Sequence, residues 1–213
     1  MQSWGHRSRF DNRDTALEPT RSGVVGLLCA ALGWERDTDL SRFEPLRMGV
    51  RVEHPGRVAL DYHTAQRQGG SGNATVSSRY YLADARFLVG LEGERDFLQT
   101  LETALHNPRW PLFLGRKAFP TSLPVVCGIE ERDLRSALEL APWLALSPRE
   151  HKRAQTKLPP LKMVLETSNP REGEAIVDSP RDFERRRYGV RYLRFESVQV
   201  APERVRLWNE VTP

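Results

Sequence analysis

Three observations in the 213-residue sequence predict an α+β fold with antiparallel sheets. Strand-like segments follow one another in pairs joined by short turns, helical patterns separate the pairs, and no repeat of fixed period runs through the chain. Residues 1–19 are polar and irregular, with Arg7, Arg9 and Arg13 among them. The first helix is predicted over residues 24–32, where Thr20 or Ser22 supplies the capping hydroxyl and Gly33 the terminating residue. It is apolar nearly all round and is therefore expected between a sheet and other elements.

A short helix is expected around residues 39–45. A strand at 48–53, the turn His54-Pro55-Gly56 and a second strand at 58–62 follow. Residues 64–78 are rich in Gln, Gly, Ser and Asn and form a long excursion between strands, which resume at 79–82 and 85–91. In residues 94–106, Phe97, Leu98, Leu101 and Leu105 share one helical face, and Asn107-Pro108 marks the stop. Residues 112–120 read as a short strand entering a basic loop, 125–129 as a strand and 131–140 as a helix. The proline-containing, basic stretch 142–160 gives no clear assignment, and strand signals return at 163–166, 175–178 and 190–195.

The 32 basic residues exceed the 28 acidic ones by a net charge of +4, and only Lys117, Lys152, Lys157 and Lys162 are lysines. Arginine stays charged, grips phosphate bidentately and stacks on bases, so the bias suits nucleic-acid contact. A GC-rich or thermophilic genome produces the same bias. At +4, any nucleic-acid site is a local surface. No apolar run reaches the roughly 18 residues of a membrane span. Met1-Gln2-Ser3-Trp4 opens into a polar, basic stretch rather than a secretory leader. Cys29 and Cys127 sit among apolar neighbours and read as core thiols of a reducing compartment, so a soluble cytoplasmic protein is expected.

Three segments carry candidate chemistry. The helix entry Pro19-Thr20-Arg21-Ser22-Gly23 offers free amides and a cation to a phosphate, and equally fits an ordinary capped helix start. Gly115-Arg116-Lys117 lets the backbone approach a phosphate beside two cations, and equally fits an exposed basic turn. The excursion carries Arg67 within and Arg79 at its base. Tyr62, Tyr80 and Tyr81 there fit either base stacking or packing of the flanking strands. The five histidines show no metal-ligand spacing, and no cofactor is expected. His63, Tyr62 and Lys117 are the side chains that would serve metal-independent acid–base cleavage of RNA.

Five blocks stand in register along the chain. They are Gln2-Ser3-Trp4-Gly5; Pro19 to Leu28 with Ala31-Leu32-Gly33; Asp61-Tyr62-His63-Thr64; Tyr81-Leu82-Ala83-Asp84-Ala85; and Leu114-Gly115-Arg116-Lys117 followed by Pro120. Together they resemble the Cas-five family of the type I-E CRISPR surveillance complex, Cascade. The resemblance implies an RRM-like (ferredoxin-like) RNA-binding domain over 1–140 with a β-hairpin thumb insert about 65–78, and a smaller C-terminal β-rich region over 141–213. It further implies a non-catalytic role in antiviral defence, capping the 5′ handle of the crRNA beside the CasC backbone subunit and the CasA large subunit. Type I-C relatives cut RNA, which keeps an endoribonuclease processing repeat RNA as the alternative. Carried over by position, the implied RNA contacts are Trp4, Arg21, Ser22, His63, Arg67, Arg79, Arg116 and Lys117.

Members of that family begin with a hydrophobic strand ahead of the Gln-Ser-Trp-Gly block, whereas Met1 stands here at the end of that step. The expectation is a sheet one strand short at its centre, with the gap filled by a neighbouring strand, a partner chain or self-association. The arginines of residues 181–194 are interleaved with Asp182 and Glu184 and read as a solvated face.

Overall fold

The structure, a computed structural model, describes residues 1–5, 12–65 and 75–211. After a two-residue β1 (Asn12–Arg13) comes α1 (Arg21–Leu32). Thr20 caps α1 by accepting from the Gly23 amide, and Gly33 ends it at φ 72°, the left-handed region that a glycine enters without strain. A single 3-10 turn at Ser41–Phe43 takes the place of the expected short helix. Then follow β2 (Arg47–His54), β3 (Arg57–Ala65), β4 (Thr75–Ala83), β5 (Arg86–Glu92) and the amphipathic α2 (Arg95–His106), with Phe97 and Leu101 buried. The C-terminal part contains α3 (Leu134–Leu140), β6 (Trp143–Ala145), α4 (Pro148–Thr156), β7 (Leu161–Thr167), β8 (Glu174–Asp182), β9 (Arg187–Val198), β10 (Val205–Leu207) and α5 (Trp208–Val211).

The fold is α+β and is organised by a five-stranded antiparallel sheet in the order β5-β2-β7-β9-β8. β7 pairs directly with β2, so the sheet crosses the boundary expected near residue 140. β2 is covered on both faces, which explains its run of five buried residues. Met48 and Val50 join the core formed with α1 and α2. On the other face, bare Gly49 leaves room for Leu138 and Leu165, and fully buried Arg51 donates to the carbonyls of Leu138, Ala141 and Pro142. β3 and β4 form a hairpin paired in unbroken register from Arg57↔Ala83 to Ala65↔Thr75, with β1 parallel to β4. The hairpin is therefore laddered strand as far as Thr75, deeper into the Gly- and Ser-rich stretch than its composition indicates.

α1 is fixed to the sheet by a buried charge cluster. Asp178 takes the Arg21 amide at 2.8 Å and both the Nε and Nη2 donors of Arg191 at 2.6 and 2.8 Å. The Arg21 guanidinium donates to Glu166 at 2.8 Å and to the Phe43 carbonyl at 2.7 Å. Glu166 also accepts from the Met48 amide at 3.0 Å. Burial lowers the Arg21 pKa, and Glu166 offsets part of that effect.

Two expectations are corrected, and one unassigned stretch is resolved. Residues 125–129 form no strand: no ladder partner lies alongside among the described residues, and Gly128 at φ 110° interrupts the run. β5 is accordingly an edge of the sheet. Cys127 is exposed on this irregular segment rather than in the core, whereas Cys29 is buried and its thiol is pushed up to about 12 by burial. The unassigned stretch 142–160 contains β6 and α4, the helix started by Ser147, which accepts from the Glu150 amide with Pro148 in the first turn.

Removing one member of a buried ion cluster leaves uncompensated charge, so Asp178→Ala is expected to cost about 3–5 kcal/mol. Urea unfolding measures this, and a destabilisation below about 1 kcal/mol would mean that the cluster does not anchor α1.

Candidate nucleic-acid interface

The hairpin has two unlike faces, because residues opposite one another in the register share a face and alternate residues change face. One face presents Val58, Leu60 and Tyr62, all exposed, Tyr62 at 68%. The other collects Asp61, His63, Ser77, Arg79 and Tyr81. On that second face Tyr81 donates to Asp61 at 3.3 Å, His63 Nδ1 stands 3.8 Å from the same carboxylate, and Arg79 Nε donates to Ser77 at 3.2 Å.

The loop after α2 closes over the base of this face. Phe113 bridges Pro120, Leu114 donates to the Phe119 carbonyl, and Phe119 donates to the Arg116 carbonyl, which makes a compact turn. Gly115 is the hinge of the turn at φ 84°; a side chain there would strike the Ser3 carbonyl. The loop is thereby held against residues 2–4, with the Ser3 amide donating to Leu114 at 3.1 Å.

The Arg116 guanidinium carbon lies over the Tyr81 ring, 4.7 Å from its centroid, and Phe119 meets the same ring edge-on at 4.9 Å. One guanidinium nitrogen donates weakly to the Arg13 carbonyl at 3.4 Å, while Nη1 is buried and has no hydrogen-bond partner among the described residues. Arg13 and Arg79 are register partners on β1 and β4. Burial lowers the Arg116 pKa, the Tyr81 hydroxyl raises it, and Arg13 and Arg79 lower it again. Arg13, Arg79 and Arg116 thus share one end of the hairpin, and Arg116 has a buried nitrogen unpaired among the described residues, an arrangement that an anionic oxygen relieves.

The residues expected to meet RNA fall into separate places. Arg79 and Arg116 come together, His63 lies on the same face, and Lys117 is exposed beside Arg116 with no ion pair among the described residues. Arg67 lies outside the described residues. Ser22 is half-buried, its hydroxyl 3.4 Å from that of Thr20. Two expectations are corrected. Arg21 is 4% exposed and its guanidinium is occupied by Glu166 and Phe43, while Asp178 already fills the amide cradle at the start of α1. Trp4 is buried against Leu82 and Ala85, with its indole donating to Gln2, and presents no face to a base. Sequence reasoning left Arg13 out of the interface; its pairing with Arg79 depends on a two-residue parallel strand that leaves no local pattern. Among the described residues, no group of three His, Cys, Asp or Glu side chains is placed to hold a metal ion, and no helix is long and apolar enough to cross a membrane.

Comparison with known proteins gives consistent relatives. The family of CRISPR-associated proteins denoted Cas_Cas5 matches residues 1–194. The CRISPR system Cascade subunit CasD of Escherichia coli (strain K12) is 34% identical over 148 residues, 60% of this chain and 66% of that protein. The chain therefore spans just under two thirds of that relative. A crystal structure of a Cas protein superposes with a TM-score of 0.75 at 44% identity, covering 96% of this chain and 92% of that one. A chain of a CRISPR RNA-guided surveillance complex superposes with a TM-score of 0.78 at 30% identity, covering 96% and 88%.

The hinge gives a direct test of how the loop is held. Gly115→Ala must accept both the left-handed backbone and the collision with Ser3, so a destabilisation of at least about 1 kcal/mol in urea unfolding is expected. A neutral Gly115→Ala would show that the loop is free of residues 2–4.

Proposed function

Because the chain belongs to the Cas5 family of CRISPR-associated proteins, we propose that it is a non-catalytic, RNA-binding subunit of a Cascade-type complex that caps the 5′ handle of crRNA. The observation that carries this reading is Arg116: stacked on Tyr81, flanked by Arg13 and Arg79, with a buried donor left unpaired. A buried unpaired donor costs about 1–3 kcal/mol, part of which a phosphate oxygen returns on binding. The ring of Tyr81 fixes the guanidinium plane, so the cation is oriented before RNA arrives and gives up little side-chain freedom. Lys117 adds an exposed charge in the loop, His63 extends the contact along the hairpin, Arg67 is a further contact by its place in the sequence, and Ser22 is an outlying contact at the start of α1.

The opposite face of the hairpin supports a place between subunits. Val58, Leu60 and Tyr62 form an exposed apolar stripe on a strand whose other face is polar. Neighbours in the positions of CasC and CasA would cover such a stripe, leaving the basic face to the RNA. Self-association is the expected behaviour of the isolated chain where that stripe and the β5 edge lack partners.

Arg116→Ala and Lys117→Ala are each expected to weaken handle binding and to lower the salt slope by about 0.7 for every phosphate no longer neutralised. Unchanged slopes in both variants would remove the loop from the interface. Equal wild-type affinity for a scrambled handle would reduce the protein to a general single-strand binder. Repeat RNA incubated with the protein in EDTA is expected to stay intact. Specific cleavage that His63→Ala or Lys117→Ala abolishes would replace this reading with the endoribonuclease one.

A further inference from the structure

A second basic surface lies on α4, within the proline-containing stretch 142–160. Arg149, Lys152 and Arg153 occupy positions i, i+3 and i+4 of the helix, and Lys157 stands at its C-cap; all four are exposed. With Thr156 and Pro159 they line one shallow depression. The helix is fixed from behind: Ala154 is buried, and the His151 ring lies 3.2 Å from the Val205 carbonyl. Its one carboxylate, Glu150, is turned away, engaged with Arg86 and accepting from the Leu146 amide at 2.7 Å.

Elsewhere several exposed cations are neutralised within the protein. Arg95 pairs with Glu131, Arg132 with Glu130, Arg135 with Glu139, and Lys162 with Glu18. Arg149, Lys152, Arg153 and Lys157 have no ion pair among the described residues. Four like charges on one face repel one another, a cost that a bound polyanion removes.

We propose that this face of α4 binds the phosphodiester backbone of a nucleic acid, at a site separate from the Arg116 loop and without reading base sequence. The lining has no aromatic side chain to stack on bases and none of the large hydrophobic side chains that centre a stable protein interface. A strongly positive surface is the character of a backbone-binding site. From Arg149 to Lys157 the cations span about 12 Å, along which a duplex presents about seven phosphates.

The test compares the full chain with a variant carrying Arg149→Gln, Lys152→Gln, Arg153→Gln and Lys157→Gln, glutamine being a comparable helix former. The milder pair Lys152→Gln with Arg153→Gln serves if the fourfold variant loses helix content by circular dichroism. Probes are a random-sequence DNA duplex and a handle-free single-stranded RNA, titrated at several salt concentrations. The fourfold variant is expected to bind the duplex about tenfold or more weakly, its slope falling by about 0.9 for every phosphate released from a cation. Arg116→Ala is expected to leave duplex binding intact, which separates this site from the handle reading. Weakening confined to the RNA probe, at about 0.7 per phosphate, supports the same site with RNA as its source. Unchanged affinity and slope for both probes overturn the proposal. So does a variant that keeps both but no longer binds a polyglutamate peptide, which would assign the face to an acidic protein.

Discussion

The contact between Asp178 and the first turn of α1 holds the rest of the structure in place. One carboxylate neutralises Arg191 on β9 and also accepts the Arg21 amide, so it caps a helix and braces a sheet edge together. Arg21 carries the link onward to Glu166 on β7, and Glu166 to the amide of Met48 on β2. The strands β2, β7, β8 and β9 and a helix start are thereby joined through charges that solvent scarcely reaches. Apolar packing alone would let α1 slide along its own axis, because a helix apolar nearly all round has no preferred depth. The ion cluster supplies that missing coordinate.

From this anchor, position passes to the basic face in short steps. The first turn of α1 contains Gly23, against which the Trp4 ring lies so closely that a Cβ would come within 2.6 Å of it. Trp4 fixes residues 2–4, which bridge Leu82 on β4 and receive the Gly115 turn at Ser3. That turn sets Arg116 on Tyr81. Trp4 and Arg21 therefore bear on the proposed RNA contact as supports of the groups that make it. A residue type suited to RNA is also suited to a buried anchor, since planarity and many donors serve both uses.

What was legible in the sequence divides along the same line. Thr20, Gly33, the Phe97–Leu101 stripe and the His54-Pro55-Gly56 turn are local signals, and the elements they mark stand where their chemistry puts them. The roles of Arg21 and Trp4 are set by Glu166, Asp178, Leu82 and Ala85, which stand far away along the chain, and no local pattern carries that information. Residues 125–129 show the converse error: a good strand composition yields no strand, because Gly128 at φ 110° interrupts the run before it can pair. The helix α4 was legible in principle, because Ser147-Pro148 with Glu150 three residues on is a helix-start signature, but the surrounding prolines obscured it.

The arginine excess acquires its meaning from how the fold distributes partners. A net charge of +4 describes the sum and hides the distribution. Arg181 pairs with Glu44, Arg185 with Asp182, Arg191 with Asp178 and Arg194 with Glu196, so most of the arginine-rich stretch 181–194 is spent inside the protein. The long-range field of a charge paired at contact distance is that of a dipole and fades quickly, whereas an unpaired cation is felt over a Debye length of about 8–10 Å. What an approaching polyanion meets is therefore the cations left unpaired, and two groups of them are clustered. Around Arg116 these are gathered with a buried unpaired donor and an ordered aromatic plane, which favours a defined contact. On α4 they are spread along a solvated helix face with no such detail, which favours a contact insensitive to sequence. The same residue chemistry thus gives two different kinds of surface, and the difference lies in burial and in the partners the fold has already assigned.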